Sequence, residues 1–198
     1  MANQHGSMVF EEFSGLAERM REQEREKVQH VLYLDLDGTV RKGYDELGRF
    51  VNGPKDVNVF PEAVVQMKRW KEKGYRLVAV TNQGGIAMGF CTHEQAAEAL
   101  YETNRQTGGL FDLMLMCRHH PYAKDPLMAN CLCRKPKYGM IVMAQDELSR
   151  RFAGIFPPCA AVMVGDRPED RACAEGAGIK FIDAAEWRAG STIEMTVY

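Results

Sequence analysis

The chain has 198 residues, 45% of them hydrophobic and 26% charged, which is long enough for one well-buried core and short for two. With 25 basic against 27 acidic residues the net charge is -2, which argues against a broad electrostatic footprint for duplex nucleic acid and leaves room only for a local basic site. No apolar run approaches the ~20 residues of a membrane span, and the start MANQHGSMVFEEF lacks the basic stretch and apolar core of a secretory signal. The six cysteines fall mostly in pairs too close in sequence for a disulfide framework, so a reducing, cytoplasmic setting is expected.

Residues 9–29 come first, dense in Glu, Arg and Gln, with Phe10, Phe13, Leu16, Ala17 and Met20 at roughly helical spacing. That spacing predicts a short amphipathic helix, so residues 1–30 are expected to form a helical extension ahead of a main domain over 31–198. From residue 31 the pattern changes to short apolar runs separated by helical stretches. Strands are expected over 31–37, 75–82, 110–116, 160–166 and 179–183, and helices over 60–74, 92–106, 138–151 and 168–178. Pro61 and Thr92 fit helix starts, while Gly74 and Gly178 fit ends. Such alternation implies an α/β protein whose parallel sheet is covered by helices on both faces.

In a doubly wound sheet, ligands bind at the carboxyl ends of the strands, and those ends carry this sequence's chemistry. The first strand closes in Asp35-Leu36-Asp37-Gly38-Thr39, the second in Thr81-Asn82-Gln83-Gly84-Gly85, the fourth in Gly165-Asp166-Arg167-Pro168-Glu169-Asp170. A phosphate ester needs a nucleophile, a cation to offset charge on the transferring group and donors aimed at its oxygens. Asp35 can be the nucleophile, because carboxylates form aspartyl phosphates. Asp37 is then the general acid and base. Asp166 joins Asp35 around a hard cation that keeps several waters, which describes Mg²⁺, and Asp37 is counted with them in the ligand set. Thr81 and Asn82 offer donors to phosphoryl oxygens, Lys135 a point charge and Arg134 a bidentate clamp. Gln83, Gly84 and Arg167 complete the candidate substrate contacts.

One segment stands apart. Residues 117–133 hold three cysteines and two histidines, all soft metal ligands, and the basic run RKPK follows directly.

YLDLDGTV, VTNQGGIAMG, CRKP and VGDRPED together resemble the four ordered motifs of the haloacid dehalogenase superfamily, in its phosphatase branch, over roughly residues 31–183. The resemblance implies a Mg²⁺-dependent phosphatase with a Rossmann-like core. It makes Asp35 the nucleophile, Asp37 the acid and base, Thr81 a phosphate-binding hydroxyl, Lys135 the stabilising cation and Asp166 a Mg²⁺ ligand, with Asp170 supporting Asp166 or Lys135. Only 43 residues separate Asp37 from Thr81, so a capless enzyme is expected.

The pattern Cys117-x-His119, eleven residues, then Cys131-x-Cys133 resembles the zinc loop of the D-glycero-D-manno-heptose 1,7-bisphosphate phosphatases and the related histidinol-phosphate phosphatases. That resemblance implies a structural Zn²⁺ on Cys117, His119, Cys131 and Cys133, while Cys91, Cys159 and Cys173 read as cysteines that merely pack. The expected substrate is a small sugar bisphosphate, heptose 1,7-bisphosphate first, with histidinol phosphate as the alternative. TNQ and RKPxxGM are also similar to polynucleotide 3′-phosphatases, for which Arg41, Lys42 and Lys55 could supply basic contacts. A non-catalytic zinc-stabilised binding module is the reading of another class. Leu36 and Met88 stand where the heptose enzymes usually carry Arg.

Overall fold

The computed structural model describes residues 28–190. The amphipathic helix expected over 9–29 lies outside them except for its last two positions, where Val28 makes a parallel bridge to Ile155.

Five strands form one sheet: β1 (Val31–Leu34), β2 (Arg76–Asn82), β3 (Leu113–Cys117), β4 (Ala161–Gly165) and β5 (Lys180–Asp183). Their order is β3-β2-β1-β4-β5 and every pairing is parallel. The register sets Leu32 opposite Leu77 on one side and Val162 on the other. Parallel strands need long crossovers, and these bury both faces of the sheet, so β1 reads as the unbroken apolar run VLYL. Leu32, Leu34, Leu77 and Trp187 pack on one face, and Tyr33, Val78, Met163 and Leu148 on the other. Full burial of each such side chain is worth about 1.5–3 kcal/mol.

The crossovers are α1 (Tyr44–Leu47) and α2 (Pro61–Glu72) after β1, α3 (His93–Gln106) after β2, and α4 (Pro126–Ala129) and α5 (Gly139–Arg151) after β3. After β4 and β5 come α6 (Pro168–Gly176) and α7 (Ala184–Arg188). Pro at the first turn starts α2, where its missing N–H has no intrahelical partner to lose. Thr92 caps α3 as expected: its hydroxyl accepts from the Gln95 N–H at 3.2 Å while the Gln95 side chain accepts from the Thr92 N–H at 2.8 Å. No separate domain interrupts either β1 to β2 or β2 to β3, and no helix among the described residues is long and apolar enough to cross a membrane.

The third strand starts three residues later than its apolar run suggests. Asp112 is the cause, because its carboxylate accepts from the Leu77 N–H at 2.8 Å and from Lys71 at 2.6 Å, so the chain turns there before the ladder begins. The short helices α1, α4 and α7 were not expected, since four or five residues are too few to show a 3.6-residue period. Strand order reverses between β1 and β4, and the crevice at that switch point opens between Asp35–Asp37 and Asp166.

Candidate active site and metal centres

The turn after β1 is closed by its own backbone. Arg41 donates its N–H to the Leu36 carbonyl at 2.9 Å, and the Gly38 N–H bonds the Arg41 carbonyl at 2.8 Å. Gly38 sits at φ +86°, and a Cβ there would lie 2.2 Å from Asp166 Oδ2. Only glycine lets the β1 turn pass this close to the β4 carboxylate.

Asp35 is buried at the centre of the crevice. The Lys135 ammonium lies 2.5 Å from Asp35 Oδ1, 2.7 Å from Asp170 Oδ1 and 2.7 Å from the Val80 carbonyl. Asp35, Asp166 and Asp170 each bring a carboxylate oxygen within 4.8 Å of the others. Three carboxylates thus face one ammonium. Burial pushes Asp35 up to about 7, against the pull of Lys135, and burial followed by the Asp170 charge pushes Asp166 up to about 6. Burial pulls Lys135 down, yet Asp35 and Asp170 outweigh it and push the ammonium above the ordinary lysine value.

This donor set fits a hard divalent cation. Its oxygens are the ligands Mg²⁺ prefers, its excess negative charge is what such an ion relieves, and Asp166 Oδ1 is buried with no hydrogen-bond partner. Asp170, expected to support Asp166 or Lys135, does hold Lys135 through one oxygen while the other accepts from the Arg167 N–H at 3.1 Å, and it also stands within the carboxylate cluster. Arg167 stays largely exposed, its Nε 3.7 Å from Asp166.

The Asp37 carboxylate stands outside that cluster. It receives Arg41 Nε at 2.8 Å and Nη2 at 3.2 Å, and Gln83 Nε2 at 2.9 Å. The same Gln83 amide donates to Thr81 Oγ1 at 2.9 Å, which ties the β2 motif to the β1 motif. Arg41 is wholly buried, so it cannot make the basic contact offered for it under the nucleic-acid alternative, whereas Lys55 is exposed and Lys42 half-buried.

Asn82 was expected to donate to phosphate. Its amide instead grips the Lys135 peptide, Nδ2 donating to the Lys135 carbonyl and Oδ1 accepting from its N–H, both at 3.0 Å. It fastens the end of β2 to the segment that carries Lys135. Gly84 comes so close to the ligand loop that a Cβ would lie 2.8 Å from the His120 ring and 3.0 Å from the Arg134 guanidinium. A cleft of about 220 Å³ joins Asp35, Lys135 and Arg134 to an outer wall of Tyr44, Phe50 and Phe90. The Tyr44 and Phe50 rings meet there at 4.8 Å between centroids.

The four expected zinc ligands converge. Cys117 Sγ lies 3.7 Å from Cys131 Sγ and 3.3 Å from Cys133 Sγ, and His119 Nδ1 lies 3.6 Å and 3.4 Å from Cys117 and Cys133. A tetrahedral Zn²⁺ with Zn–S of about 2.3 Å and Zn–N of about 2.0 Å implies edges of roughly 3.5–3.8 Å. The quartet fits that ion. Cys131 Sγ also accepts the Arg134 N–H at 3.3 Å, and Arg134 Nη1 donates to the His119 carbonyl at 3.0 Å. Of the other cysteines, Cys91 and Cys173 pack as expected, but Cys159 is exposed.

Residues 132–183 match the family model described as HAD-hydrolase-like. The chain is 32% identical over 153 residues to D-glycero-beta-D-manno-heptose-1,7-bisphosphate 7-phosphatase of Haemophilus ducreyi, covering 75% of this chain and 79% of the relative. It is 37% identical over 157 residues to the enzyme of the same name from Vibrio cholerae, covering 75% and 76%. Among solved structures, D,D-heptose 1,7-bisphosphate phosphatase from B. bronchiseptica, complexed with magnesium and phosphate, superposes with a TM-score of 0.62 at 28% identity over 77% of this chain and 79% of that one. These likenesses, to named phosphatases over about three quarters of the chain, set aside a non-catalytic zinc module. The chain belongs to the haloacid dehalogenase-like phosphatases, in the family of the heptose 1,7-bisphosphate phosphatases.

Proposed function

We propose that this phosphatase is a Mg²⁺-dependent phosphomonoester hydrolase that works through a phosphorylated Asp35. The observation that carries the reading is the buried Asp35 carboxylate, paired with the Lys135 ammonium and grouped with the Asp166 and Asp170 carboxylates at the switch point of the sheet. In the first step an Asp35 oxygen forms a bond to phosphorus, the bond from phosphorus to the ester oxygen breaks, and Asp37 gives that oxygen its proton. In the second step water forms the new bond to phosphorus, the bond from phosphorus to the Asp35 oxygen breaks, and Asp37 takes a proton from that water.

Lys135 offsets charge on the transferring group, and the Thr81 hydroxyl and Gly84 backbone line its seat. Arg134 and Arg167 stand at the mouth for the rest of the substrate. Mg²⁺, held by Asp35 and Asp166, would draw charge from the phosphoryl oxygens and let the carboxylates ionise together. Asp37, counted with the ligands on sequence, lies outside that carboxylate cluster, its side chain being held by Arg41 and Gln83.

The Cys117, His119, Cys131 and Cys133 loop is proposed to hold one structural Zn²⁺ that does no chemistry, since four protein ligands leave no open position. Arg134 and Lys135 follow Cys133 directly, and Arg134 is bonded to two members of the quartet, so fixing the loop aims both cations.

The proposed substrate is a small phosphorylated sugar, D-glycero-D-manno-heptose 1,7-bisphosphate first. Its support is the named activity of the relatives, a cleft sized for one small metabolite and the absence of an inserted cap, which leaves loops to recognise the sugar. Phosphate release should be measured with Mg²⁺ on heptose 1,7-bisphosphate, histidinol phosphate and a 3′-phosphorylated oligonucleotide. The heptose ester should give the highest kcat/KM. A preference for the oligonucleotide, with strong salt dependence, would contradict the substrate assignment.

A further inference from the structure

Arg41 is buried completely, with 0% of its surface exposed, and a buried guanidinium is costly unless its donors are matched. Here they are matched on two sides. Nε and Nη2 fork onto the two oxygens of Asp37 at 2.8 and 3.2 Å, and Nη1 reaches Thr103 Oγ1 at 2.9 Å and the Ala99 carbonyl at 3.3 Å. Thr103 is itself buried and donates to the Ala99 carbonyl at 2.7 Å, so the hydroxyl is fixed to accept from Arg41. A rigid planar fork on one side and the body of α3 on the other leave the Asp37 carboxylate little freedom.

From this geometry we infer that Arg41 is the positioning residue of the general acid and base: it fixes the Asp37 carboxylate toward the ester oxygen and anchors that aim to α3 through Thr103. The inference rests on the proposed proton role of Asp37. Gln83 adds a third donor to the same carboxylate from the β2 motif, so the acid is held from two strand ends and one helix. Arg41 itself, being wholly buried behind Asp37, acts on the reaction only through Asp37. Its loss should therefore matter in proportion to how much the leaving oxygen needs a proton.

The test compares two esters on the Mg²⁺-loaded enzyme, p-nitrophenyl phosphate with its good leaving group and glycerol phosphate with a poor one. Arg41→Lys keeps a charge but cannot fork, and it should lower kcat on glycerol phosphate by about a hundredfold, the low end of what a positioned acid supplies, with less than about a threefold change on p-nitrophenyl phosphate. Thr103→Val, which spares the fork and removes its anchor, should show the same bias at about tenfold, and it decides the matter if Arg41→Lys does not fold. In an Asp37→Asn background, neither substitution should cost anything further on glycerol phosphate. Equal losses on both esters, or full additivity with Asp37→Asn, would overturn the inference and leave Arg41 a structural clamp. Failure of the underlying reading looks different: Asp37→Asn itself would then lack the leaving-group bias.

Discussion

The Lys135 ammonium lies between Asp35 at 2.5 Å and Asp170 at 2.7 Å, so one cation from the β3–α5 connection holds together carboxylates from the end of β1 and the first turn of α6. Removing it strands two buried carboxylates. Lys135→Ala should cost about 3–5 kcal/mol of stability, as for a broken buried ion pair, and kcat should fall far more than KM rises. Arg134→Ala should instead chiefly raise KM, because the half-buried guanidinium faces the cleft mouth. Thermal melts and steady-state kinetics on both variants check the division. Equal effects on kcat and KM for both would refute it.

Asp35 and Asp166 give the metal-free protein a pH signature. Their values of about 7 and about 6 exceed the ordinary ~4 of an aspartate, so between those limits the folded chain holds protons that the unfolded chain has released. Stability supplied by these groups is therefore full below about pH 4 and is lost as pH rises toward about 7. Mg²⁺ requires the ionised carboxylates, so it should raise Tm more at about pH 7.5 than at about pH 5. Melting curves with and without Mg²⁺ across that range provide the check, and a metal effect independent of pH would count against the assignment.

The thiolate loop makes a compositional prediction. Protein purified without chelator should contain about one zinc per chain, and Cys131→Ser or Cys133→Ser should lose it. Loosening the loop displaces Arg134 and Lys135, and a shift of ~1 Å can cost roughly a hundredfold in rate. Elemental analysis beside kinetics tests both halves. Full activity in a zinc-free quartet variant would contradict the positional role.

Most of this architecture was legible because buried parallel strands write themselves as unbroken apolar runs, and because VLYL, LVAV and AVMV end directly in the motifs that carry the chemistry. The convergence of Cys117, His119, Cys131 and Cys133 was legible as well, since single-residue spacers bring each pair to one side of an extended chain. Arg41 was offered with Lys42 and Lys55 as a basic contact for a nucleic-acid strand, which its burial rules out. Nothing local reveals that its guanidinium is buried, because its anchor Thr103 lies 62 residues further on, along α3. Asn82 was misjudged for a similar reason, its partner being a peptide 53 residues away. Short-range pattern finds elements and motifs, while long-range side-chain pairing decides which member of a motif touches substrate and which holds its neighbour.

Asp37→Asn takes the counter-charge from the buried Arg41, so it should lower Tm, and it should lower kcat by about 10²–10⁴ on alkyl phosphates, with a smaller loss on activated aryl esters. A Brønsted series of esters gives the slope. An unchanged dependence on the leaving group would mean that Asp37 does not move the proton.

The central claim is that phosphate passes through Asp35, and the most direct measurement is rapid quench of the Mg²⁺-loaded enzyme during turnover, followed by mass spectrometry of the acid-stabilised peptides. A phosphoryl group should appear on the peptide holding Asp35 and vanish in Asp35→Asn, whose turnover should fall by roughly 10⁴-fold or more while its melting curve keeps its shape. Phosphate release at the normal rate by Asp35→Asn, or a phosphoryl group trapped on any other residue, would contradict the account.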